Sequence, residues 1–375
     1  MENSHLTYFK IENFKKFDSL EVNDIGQFNL IVGDNNVGKT CFLEALLFDE
    51  DSQQLLDNFY LALTKRGLKF EIEEITKRAN NISTTETIYP KENYFEQIII
   101  GKFPFEYVKQ SIINYSYANS ILNEITISKI KDGLKQRIKL ENYLNNGIKK
   151  EDLINQFIEI YVKKDSLNSK RSEGTYEWIY DYNLEILNFP LISFNDTPLE
   201  QETKSIYENL KTKREKQILI DVLKVVNPNI VDIELRENFE DLKSVFLISF
   251  EDKDEFVPLN FLGDGFKRIF YIVLKALSLK GKRILIDEIE IGIHYSKMKD
   301  FWVNIMKVCK ELDVQLFATT HSQECIESYL EASKELNEKD IRLIRLQENK
   351  DKSIKAICYP FEAVEYFVES NTEER

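Results

Sequence analysis

A glycine-rich octapeptide between two apolar segments constrains the fold of this chain more than any other feature. Residues 33–40 read GDNNVGKT and match the pattern G-x-x-x-x-G-K-[ST]. The apolar run 27–32 before it predicts a strand, and apolar residues recur at helical spacing from Phe42 to Leu47 after it. A strand, a glycine-rich turn and a helix in this order predict a loop whose backbone N–H groups surround phosphate.

The pattern also assigns roles within this loop. Lys39 is expected to reach the β- and γ-phosphates of a nucleotide, and Thr40 is expected to ligate Mg²⁺. Cys41 opens the following helix, where the pKa of a thiol can fall, but we expect its side chain to serve packing. The residues assigned to nucleotide binding in and beside the loop are Gly33, Asn35, Asn36, Val37, Gly38, Lys39, Thr40 and Cys41.

An apolar strand in the C-terminal third ends in two carboxylates. Residues 284–286 are Ile-Leu-Ile, and Asp287 and Glu288 follow them. Ligands of open α/β sheets collect at the carboxyl ends of the strands, so both carboxylates are expected near the phosphate loop. Asp287 suits Mg²⁺ through its water shell, and Glu288 suits polarisation of an attacking water. A strand that ends in Asp-Glu is weak evidence alone and gains strength from the phosphate loop upstream.

Two further motifs accompany these. His321 lies in TTHS after the predicted strand 314–318, where its imidazole could hydrogen-bond a γ-phosphate, although a lone histidine more often caps a helix. Residues 262–268, LGDGFKR, precede the predicted helix 269–279. Glycines at a helix start form a second anion-binding nest, unless the segment is a plain capped turn. Because the chain already has one phosphate loop, we expect this nest to serve nucleotide bound to another copy.

Composition and charge exclude several functional classes. The chain has 375 residues with 50 Lys plus Arg against 64 Asp plus Glu, a net charge of −14. This balance argues against general coating of nucleic acid, although a local basic patch is compatible with it. No apolar run approaches the roughly 20 residues of a membrane span, and the start has no secretory signal pattern. The four cysteines form no CxxC pair, so we predict a cytoplasmic protein with reduced thiols and no zinc site.

The alternation of strands and helices predicts an α/β fold with a mostly parallel sheet and flanking helices, split by an inserted arm. Residues 1–50 and 196–375 are assigned to the two parts of this head, and 51–195 to a helical and antiparallel β arm. Helices are predicted over 51–78, 149–164 and 199–226, and a strand pair over 230–256. Strands are predicted over 95–100, 112–117, 124–130 and 134–140, with a hairpin turn at Asp132-Gly133.

The four motifs, in this order, resemble those of the ABC-type ATPases of the RecF, SMC/Rad50 and OLD group. The likeness is strongest to compact OLD-like AAA family ATPases of bacterial anti-phage defence operons, in the GDG signature and in DEIEIGIHYS and ATTHSQECIES. The start LTYFKIENFKKF also looks like their opening strand. The resemblance covers residues 6–50 and about 257–330, and the middle matches only as a variable arm.

The resemblance implies roles for particular residues. ATP and Mg²⁺ would be the ligands, with Asp287 on the metal, Glu288 as the catalytic carboxylate and His321 as the switch. In trans, a partner's γ-phosphate would be bound by the signature, which is Gly-Asp-Gly here where transporters have Ser-Gly-Gly. Asn195 is a substitute for the glutamine that usually ligates Mg²⁺. The signature residues are Gly263, Asp264 and Gly265, and those in the dimer-contacting loop are Gly292, Ile293 and His294.

The same resemblance implies an ATPase that forms a homodimer, or a higher even oligomer, on ATP through a nucleotide sandwich. OLD proteins carry a nuclease domain after the ATPase, whereas only about fifty residues follow His321 here. We therefore expect a subunit that controls a separate effector, a nuclease or toxin encoded nearby, in anti-phage defence. A RecF- or Rad50-like DNA-repair ATPase that acts directly on DNA is the alternative, and a pseudo-ATPase scaffold is a third. Nucleic acid is a secondary candidate partner, through the basic hairpin 129–139, whose Lys and Arg side chains otherwise form a solvated face.

Overall fold

The computed structural model describes residues 5–48, 58, 62, 75–78, 94–100, 108–117, 123–130, 133–139, 159–162, 175–178, 189–194, 200–239 and 242–370. The chain divides into two compact units. The first unit draws its described residues from Met1–Ile25, Glu44–Ile186 and Gln347–Ile357. The second unit draws its described residues from Gly26–Leu43, Leu187–Leu346 and Cys358–Arg375.

The described strands and helices are numbered in chain order. The strands are β1 (Leu6–Phe14), β2 (Phe17–Asn23), β3 (Phe28–Gly33), β4 (Ile75–Arg78), β5 (Tyr94–Ile100), β6 (Val108–Tyr117), β7 (Asn123–Ile130), β8 (Gly133–Lys139), β9 (Glu159–Val162), β10 (Thr175–Trp178), β11 (Leu191–Ile192), β12 (Ile230–Phe239), β13 (Leu242–Phe250), β14 (Val257–Pro258), β15 (Arg283–Ile286), β16 (Gln315–Thr319), β17 (Ile341–Glu348) and β18 (Ile354–Pro360). The α-helices are α1 (Lys39–Ala45), α2 (Glu200–Glu208), α3 (Lys213–Leu223), α4 (Asp264–Ser278), α5 (Tyr295–Glu311), α6 (Gln323–Leu336) and α7 (Phe361–Glu369).

The first unit contains a six-stranded antiparallel sheet in the order β2-β1-β6-β7-β8-β5. In the strand register, Ile11 of β1 lies opposite Leu20 of β2 on one side and opposite Ile113 of β6 on the other. On β2, which sequence analysis missed, Phe17, Leu20 and Val22 are buried and separated by exposed residues, the pattern of a half-buried strand. Because β1 hydrogen-bonds to β6, residues 6–14 belong to the same unit as the inserted segment. The two units therefore do not follow the predicted division of the chain at residue 50.

A small antiparallel sheet, β10-β4-β9, corrects two helix predictions in the first unit. Residues 75–78 and 159–162 were expected at the ends of helices 51–78 and 149–164, but β4 and β9 pair with Ile75 opposite Val162. Their β-branched and aromatic side chains favour a pleated strand once a partner strand is available, so tertiary pairing overrides the local helical pattern. The remaining parts of these two predicted helices lie largely outside the described residues.

The second unit confirms the predicted α/β fold with a mostly parallel sheet. Its strand order is β11-β15-β16-β3-β17, with β18 at the edge. Strands β15, β16 and β17 each run parallel to their neighbour, and β16 and β17 flank β3. Parallel strands require crossover connections, which α4, α5 and α6 supply from sequence segments that carry apolar faces. The central strands are buried on both faces, which explains their continuous apolar runs.

The predicted helix 199–226 is two helices, α2 and α3. Thr212 is the N-cap of α3, and its Oγ1 accepts a hydrogen bond from the Glu215 N–H at 3.2 Å. The Glu215 carboxylate in turn accepts from the Thr212 N–H at 2.9 Å. This reciprocal capping box starts a new helix at Lys213, so the prediction of one continuous helix was wrong. The predicted strand pair at 230–256 is confirmed as β12 and β13, with β14 added at its edge.

A buried ion pair joins α2 to α4 inside the second unit. The Lys275 ammonium donates to one carboxylate oxygen of Glu202 at 2.9 Å, and the Tyr271 hydroxyl donates to the other at 2.9 Å. Both charged side chains are almost fully buried. Removal of one partner of such a pair costs about 3–5 kcal/mol, because the other charge is left without compensation. The pair therefore fixes the position of α4, the helix that begins at the glycine-rich segment 263–265.

Other sequence predictions meet the structure only in part. The predicted hairpin of β7 and β8 is confirmed, but Gly133 lies in β8 opposite Ile130, so the turn is one residue earlier than the predicted Asp132-Gly133. The basic side chains of the hairpin, residues 131–132 and Asn195 lie outside the described residues. All four cysteines are described, and none of them forms a disulfide. No helix in the described part of the chain is both long and apolar enough to cross a bilayer.

Candidate nucleotide-binding site

The loop between β3 and α1 has the backbone that a phosphate loop requires. Gly33, Asn36 and Gly38 all have positive φ angles, of 143°, 63° and 112°. A Cβ atom at Gly33 would lie 2.3 Å from the Leu346 carbonyl oxygen of β17, so a larger residue is excluded there. These conformations reverse the chain within a few residues and direct it into α1, as the motif predicts.

Lys39 lies at the centre of this loop. Its Nζ donates hydrogen bonds to the Gly33 and Asp34 carbonyl oxygens at 2.7 and 3.0 Å, and lies 3.5 Å from Nδ1 of His321. Burial lowers the pKa of Lys39, and the charge of nearby carboxylates, Asp287 first, opposes that shift. The loop therefore holds a partly desolvated cation, whose attraction for a phosphate group is stronger than in bulk water.

Both carboxylate oxygens of Asp287 are held by hydroxyl groups. The Thr40 hydroxyl donates to Oδ2 at 3.0 Å, and the Thr319 hydroxyl donates to Oδ1 at 2.6 Å. Thr319 was not predicted as a site residue. The parallel register pairs Ile286 with Ala318, so Asp287 and Thr319 follow at the same edge of the sheet. The available signal in the sequence was the position of Thr319, a hydroxyl residue at the end of the strand that precedes the predicted switch residue His321.

Glu288 lies between Thr319 and His321, and its carboxyl group has a raised pKa. Its N–H donates to the Thr319 hydroxyl at 2.8 Å, and its Oε1 lies 3.9 Å from Nε2 of His321. Burial first, and then the charge of Asp287, raise the pKa of Glu288. A raised pKa brings a carboxylate closer to the range in which it accepts protons efficiently near neutral pH. The backbone of His321 is itself fixed, since its N–H donates to the Glu290 carboxylate at 2.9 Å.

The loop and the histidine border one cavity of about 400 Å³. Gln323 and Ile326 contribute from the first turn of α6, and sequence analysis assigned neither of them to the site. Ser322 caps this helix, with its hydroxyl accepting from the Cys325 N–H at 3.1 Å. The lining residues are Val32, Gly33, Asp34, Asn35, Thr320, His321, Gln323 and Ile326.

The signature segment lies at the start of α4. A Cβ atom at Gly263 would meet no atom within 4 Å, and Asp264 is 96% exposed in its side chain. The Lys267 ammonium, 2.6 Å from the Asp264 carboxylate, donates a hydrogen bond that lowers the pKa of Asp264. A Cβ atom at Gly265 would lie 1.9 Å from the Gly292 carbonyl oxygen. A side chain at Gly265 would therefore displace the loop after Glu288 in its own chain.

The predicted dimer-contacting loop, Gly292 to His294, ends at α5. Gly292 has a φ of 79°, and the His294 ring caps α5 by accepting from the Ser296 N–H at 3.3 Å. Of the other predicted residues, Val37 is buried and Cys41 is half-buried. The structure thus brings together Lys39, Thr40, Asp287, Glu288 and His321. It places Asp264 and Gly265 against Gly292 and leaves Gly263 facing open space.

The site supplies oxygen ligands of the kind that Mg²⁺ bound to a nucleotide takes from a protein. Among the described residues, no three His, Cys, Asp or Glu side chains are arranged to hold a metal ion by themselves. Mg²⁺ that accompanies a nucleotide needs only one or two protein oxygens, with phosphate and water completing its shell. The Thr40 hydroxyl and the Asp287 carboxylate supply such oxygens 3.0 Å apart. The residues present therefore fit this ion.

A phosphate loop at the edge of a parallel sheet, with two carboxylates at a strand end beside it, defines the class of P-loop nucleoside triphosphatases. Comparisons with known proteins agree. Residues 28–327 match the family described as "AAA domain, putative AbiEii toxin, Type IV TA system". Because the match covers most of the chain, the protein belongs to this family and is an ATPase.

Individual relatives are consistent with that assignment. The chain is 25% identical over 352 residues to an ATP/GTP phosphatase of Helicobacter pylori, a match that covers 85% of each protein. It is 41% identical over 75 residues to an uncharacterized protein of Methanocaldococcus jannaschii, which covers 20% of this chain and 66% of that protein.

Among solved structures, the Smc head domain with an extended coiled coil, bound to the C-terminal domain of ScpA and derived from Pyrococcus furiosus, has the same fold. The TM-score is 0.51 at 12% identity, and the match covers 98% of this chain and 100% of that chain. The predicted fold of the ATPase head is therefore confirmed, while the roles of the individual site residues stay predictions.

Thr319→Val should lower kcat without unfolding the protein. The substitution leaves the Glu288 N–H without its acceptor and the Oδ1 atom of Asp287 without its Thr319 donor. A buried polar group left unsatisfied costs about 1–3 kcal/mol. A loss of that size in the transition state is about 5–150-fold in rate. Steady-state ATP hydrolysis measures the effect, and Thr319→Ser, which keeps the hydroxyl, is the matched control. Equal rates for Thr319→Val and wild type would show that the Thr319 hydroxyl does not position Asp287 and Glu288 for hydrolysis.

Proposed function

We propose that ATP binding joins two copies of this chain, each phosphate loop facing the signature of the other, and that hydrolysis separates them. The observation that carries the proposal is the exposed glycine-rich segment at the start of α4. Gly263 faces open space and Asp264 is 96% exposed, in a chain that already has a phosphate loop elsewhere. Backbone N–H groups at a helix start are suited to an anion, and a second copy supplies that anion as bound nucleotide.

Apolar side chains around this segment support a contact surface. Phe261, just before the signature, is 81% exposed, and Tyr295, at the end of the loop that contains Gly292, is 70% exposed. Ile291 of the same loop is also exposed. Large exposed aromatic side chains are enriched where proteins associate, since burial of their apolar surface is favourable. Their position on both segments of the Gly265–Gly292 contact fits a surface that a second copy covers.

The residues of the site suggest how hydrolysis proceeds. The Lys39 ammonium binds the β- and γ-phosphates, and Thr40 and Asp287 hold Mg²⁺, which neutralises phosphate charge when bound. Glu288 polarises the attacking water and accepts its proton, a role consistent with its raised pKa. His321 hydrogen-bonds the γ-phosphate and, from its position 3.9 Å from the Glu288 carboxylate, reports whether that phosphate is present.

We further propose that this cycle controls a separate effector in anti-phage defence. The family description, with its reference to a toxin and a toxin–antitoxin system, supports such a context. A net charge of −14 favours a protein partner over extended contact with nucleic acid. The effector would be a nuclease or toxin encoded nearby, and its contact with one state of the dimer would transmit the signal.

Glu288→Gln should bind ATP, hydrolyse it at least about a hundredfold more slowly, and accumulate as an ATP-dependent dimer. The amide keeps the shape of the side chain but cannot accept the proton, so the engaged state persists. Light scattering after size exclusion, with and without ATP and Mg²⁺, measures the dimer. Lys39→Ala is the control that should stay monomeric. A Glu288→Gln protein that turns over normally, or one that never dimerises, would refute the proposal.

A partner should copurify with the chain in a manner that depends on the ATP state. Affinity purification from the native host, with wild type and Glu288→Gln in the presence and absence of ATP, tests this. We expect a protein encoded nearby whose recovery differs between the two states, because only a differential contact can shift with nucleotide. Tight DNA binding at physiological salt, without a copurifying protein, would instead favour the DNA-repair function.

A further inference from the structure

The backbone of Glu288 adopts a conformation that needs support. Its φ angle is 49°, in the left-handed region that residues with a side chain rarely occupy. Such a conformation costs about 1–3 kcal/mol and persists only where surrounding contacts determine it. It also sets the direction in which the Glu288 carboxylate leaves the chain, so whatever holds this backbone aims the side chain.

One side of this residue is held by β16. The Glu288 N–H donates to the Thr319 hydroxyl at 2.8 Å, and the next N–H, of Ile289, donates to the Thr319 carbonyl oxygen at 3.0 Å. These two bonds hold the N–H groups of both peptide units that flank the Glu288 Cα atom. The Glu288 carbonyl oxygen, on the opposite edge of the second peptide unit, accepts from another group.

Arg268 holds the carbonyl side. Its Nη2 donates to the carbonyl oxygens of Asp287 and Glu288 at 2.7 and 3.0 Å. Its Nη1 donates to the carbonyl oxygens of Ser193 and Phe194, after β11, at 3.3 and 3.2 Å. One guanidinium thus joins the ends of two neighbouring parallel strands, and we call these four bonds the carbonyl clamp.

The helix that carries the clamp is itself fixed. Arg268 lies one turn after Gly265, whose backbone contacts Gly292 so closely that a Cβ atom on Gly292 would be 2.8 Å from the Gly265 Cα. Two turns further along α4, Lys275 forms the buried ion pair with Glu202. Because α4 is held at Gly265 and at Lys275, the Arg268 guanidinium between these positions has a defined place from which it can hold the strand ends.

We infer that Arg268 is a positioning residue for hydrolysis, which holds Glu288 in the left-handed conformation that aims its carboxylate at the attacking water. It acts through the backbone of Glu288 and through no contact with the nucleotide. The inference rests on the proposed role of Glu288 and adds to it a residue that sequence motifs do not assign. Because Arg268 lies on α4, the signature helix is linked by a hydrogen bond to the backbone of Glu288 in the same chain.

The chemistry of the clamp requires arginine. A guanidinium is a planar fork whose N–H groups can reach several carbonyl oxygens at once, whereas an ammonium is a compact charge on a flexible stem. Lysine at this position can satisfy the carbonyls of one strand end and leaves the other less restrained. Arg268→Lys therefore retains charge and volume but loses the geometry of the clamp.

Steady-state and single-turnover hydrolysis by Arg268→Met and Arg268→Lys test the inference. We expect kcat to fall by about 10–100-fold in Arg268→Met, the range that a misplaced catalytic group produces, and less in Arg268→Lys. The Kd for ATP should stay within about twofold of wild type, since the clamp bonds backbone carbonyl oxygens and none of the side chains assigned to the nucleotide or to Mg²⁺. Arg214→Met is the matched control, because the Arg214–Glu311 pair is exposed and contributes little.

A double-mutant cycle separates positioning from a general structural effect. If Arg268 acts through Glu288, then Arg268→Met should not lower the residual rate of Glu288→Gln further. Multiplicative losses in the double variant, or a wild-type kcat in both Arg268 variants, would overturn the inference. Should Arg268→Met fail to fold, Arg268→Lys carries the same cycle. Normal turnover in Glu288→Gln alone would instead refute the proposed role of Glu288, so the two failures are distinguishable.

Discussion

The parallel register of β15, β16 and β3 is the constraint on which the site depends. It pairs Ile286 with Ala318, and Ala318 with Leu30, so that all three strands end at one edge of the sheet. Asp287, Thr319 and the phosphate loop follow at that edge as a direct consequence. A shift of one residue would turn each side chain to the opposite face and separate the Asp287 carboxylate from both of its hydroxyl donors.

The chemistry of the site follows from how tightly these strand ends are held. Asp287 is buried, which is tolerable because Thr40 and Thr319 hydrogen-bond both of its carboxylate oxygens. Glu288, one residue later, keeps a strained backbone between Thr319 and Arg268 and a carboxylate whose pKa is raised by burial. The two adjacent carboxylates therefore differ in their surroundings, since two hydroxyl groups hold Asp287 whereas burial raises the pKa of Glu288.

Sequence reasoning found the residues whose positions depend on local backbone. The phosphate loop, Asp287, Glu288 and His321 were predicted because each follows a recognisable strand within a few residues. Thr319 and Arg268 were missed, since their contacts depend on strand register and on the packing of α4. Helical patterns near Ile75 and Glu159 failed where strand pairing overrode them, and the capping box at Thr212 was an unrecognised break in a predicted helix.

Isothermal titration of ATP and Mg²⁺ into wild-type and Lys39→Ala protein tests the central claim, that the 33–40 loop binds the phosphates, most directly. Lys39→Ala removes a charge-assisted contact of about 1.5–3 kcal/mol, so we expect its affinity to fall by about 10–150-fold. Lys299→Ala, which alters an exposed pair with Glu335, serves as the control and should bind like wild type. Unchanged ATP affinity in a folded Lys39→Ala protein would contradict the account.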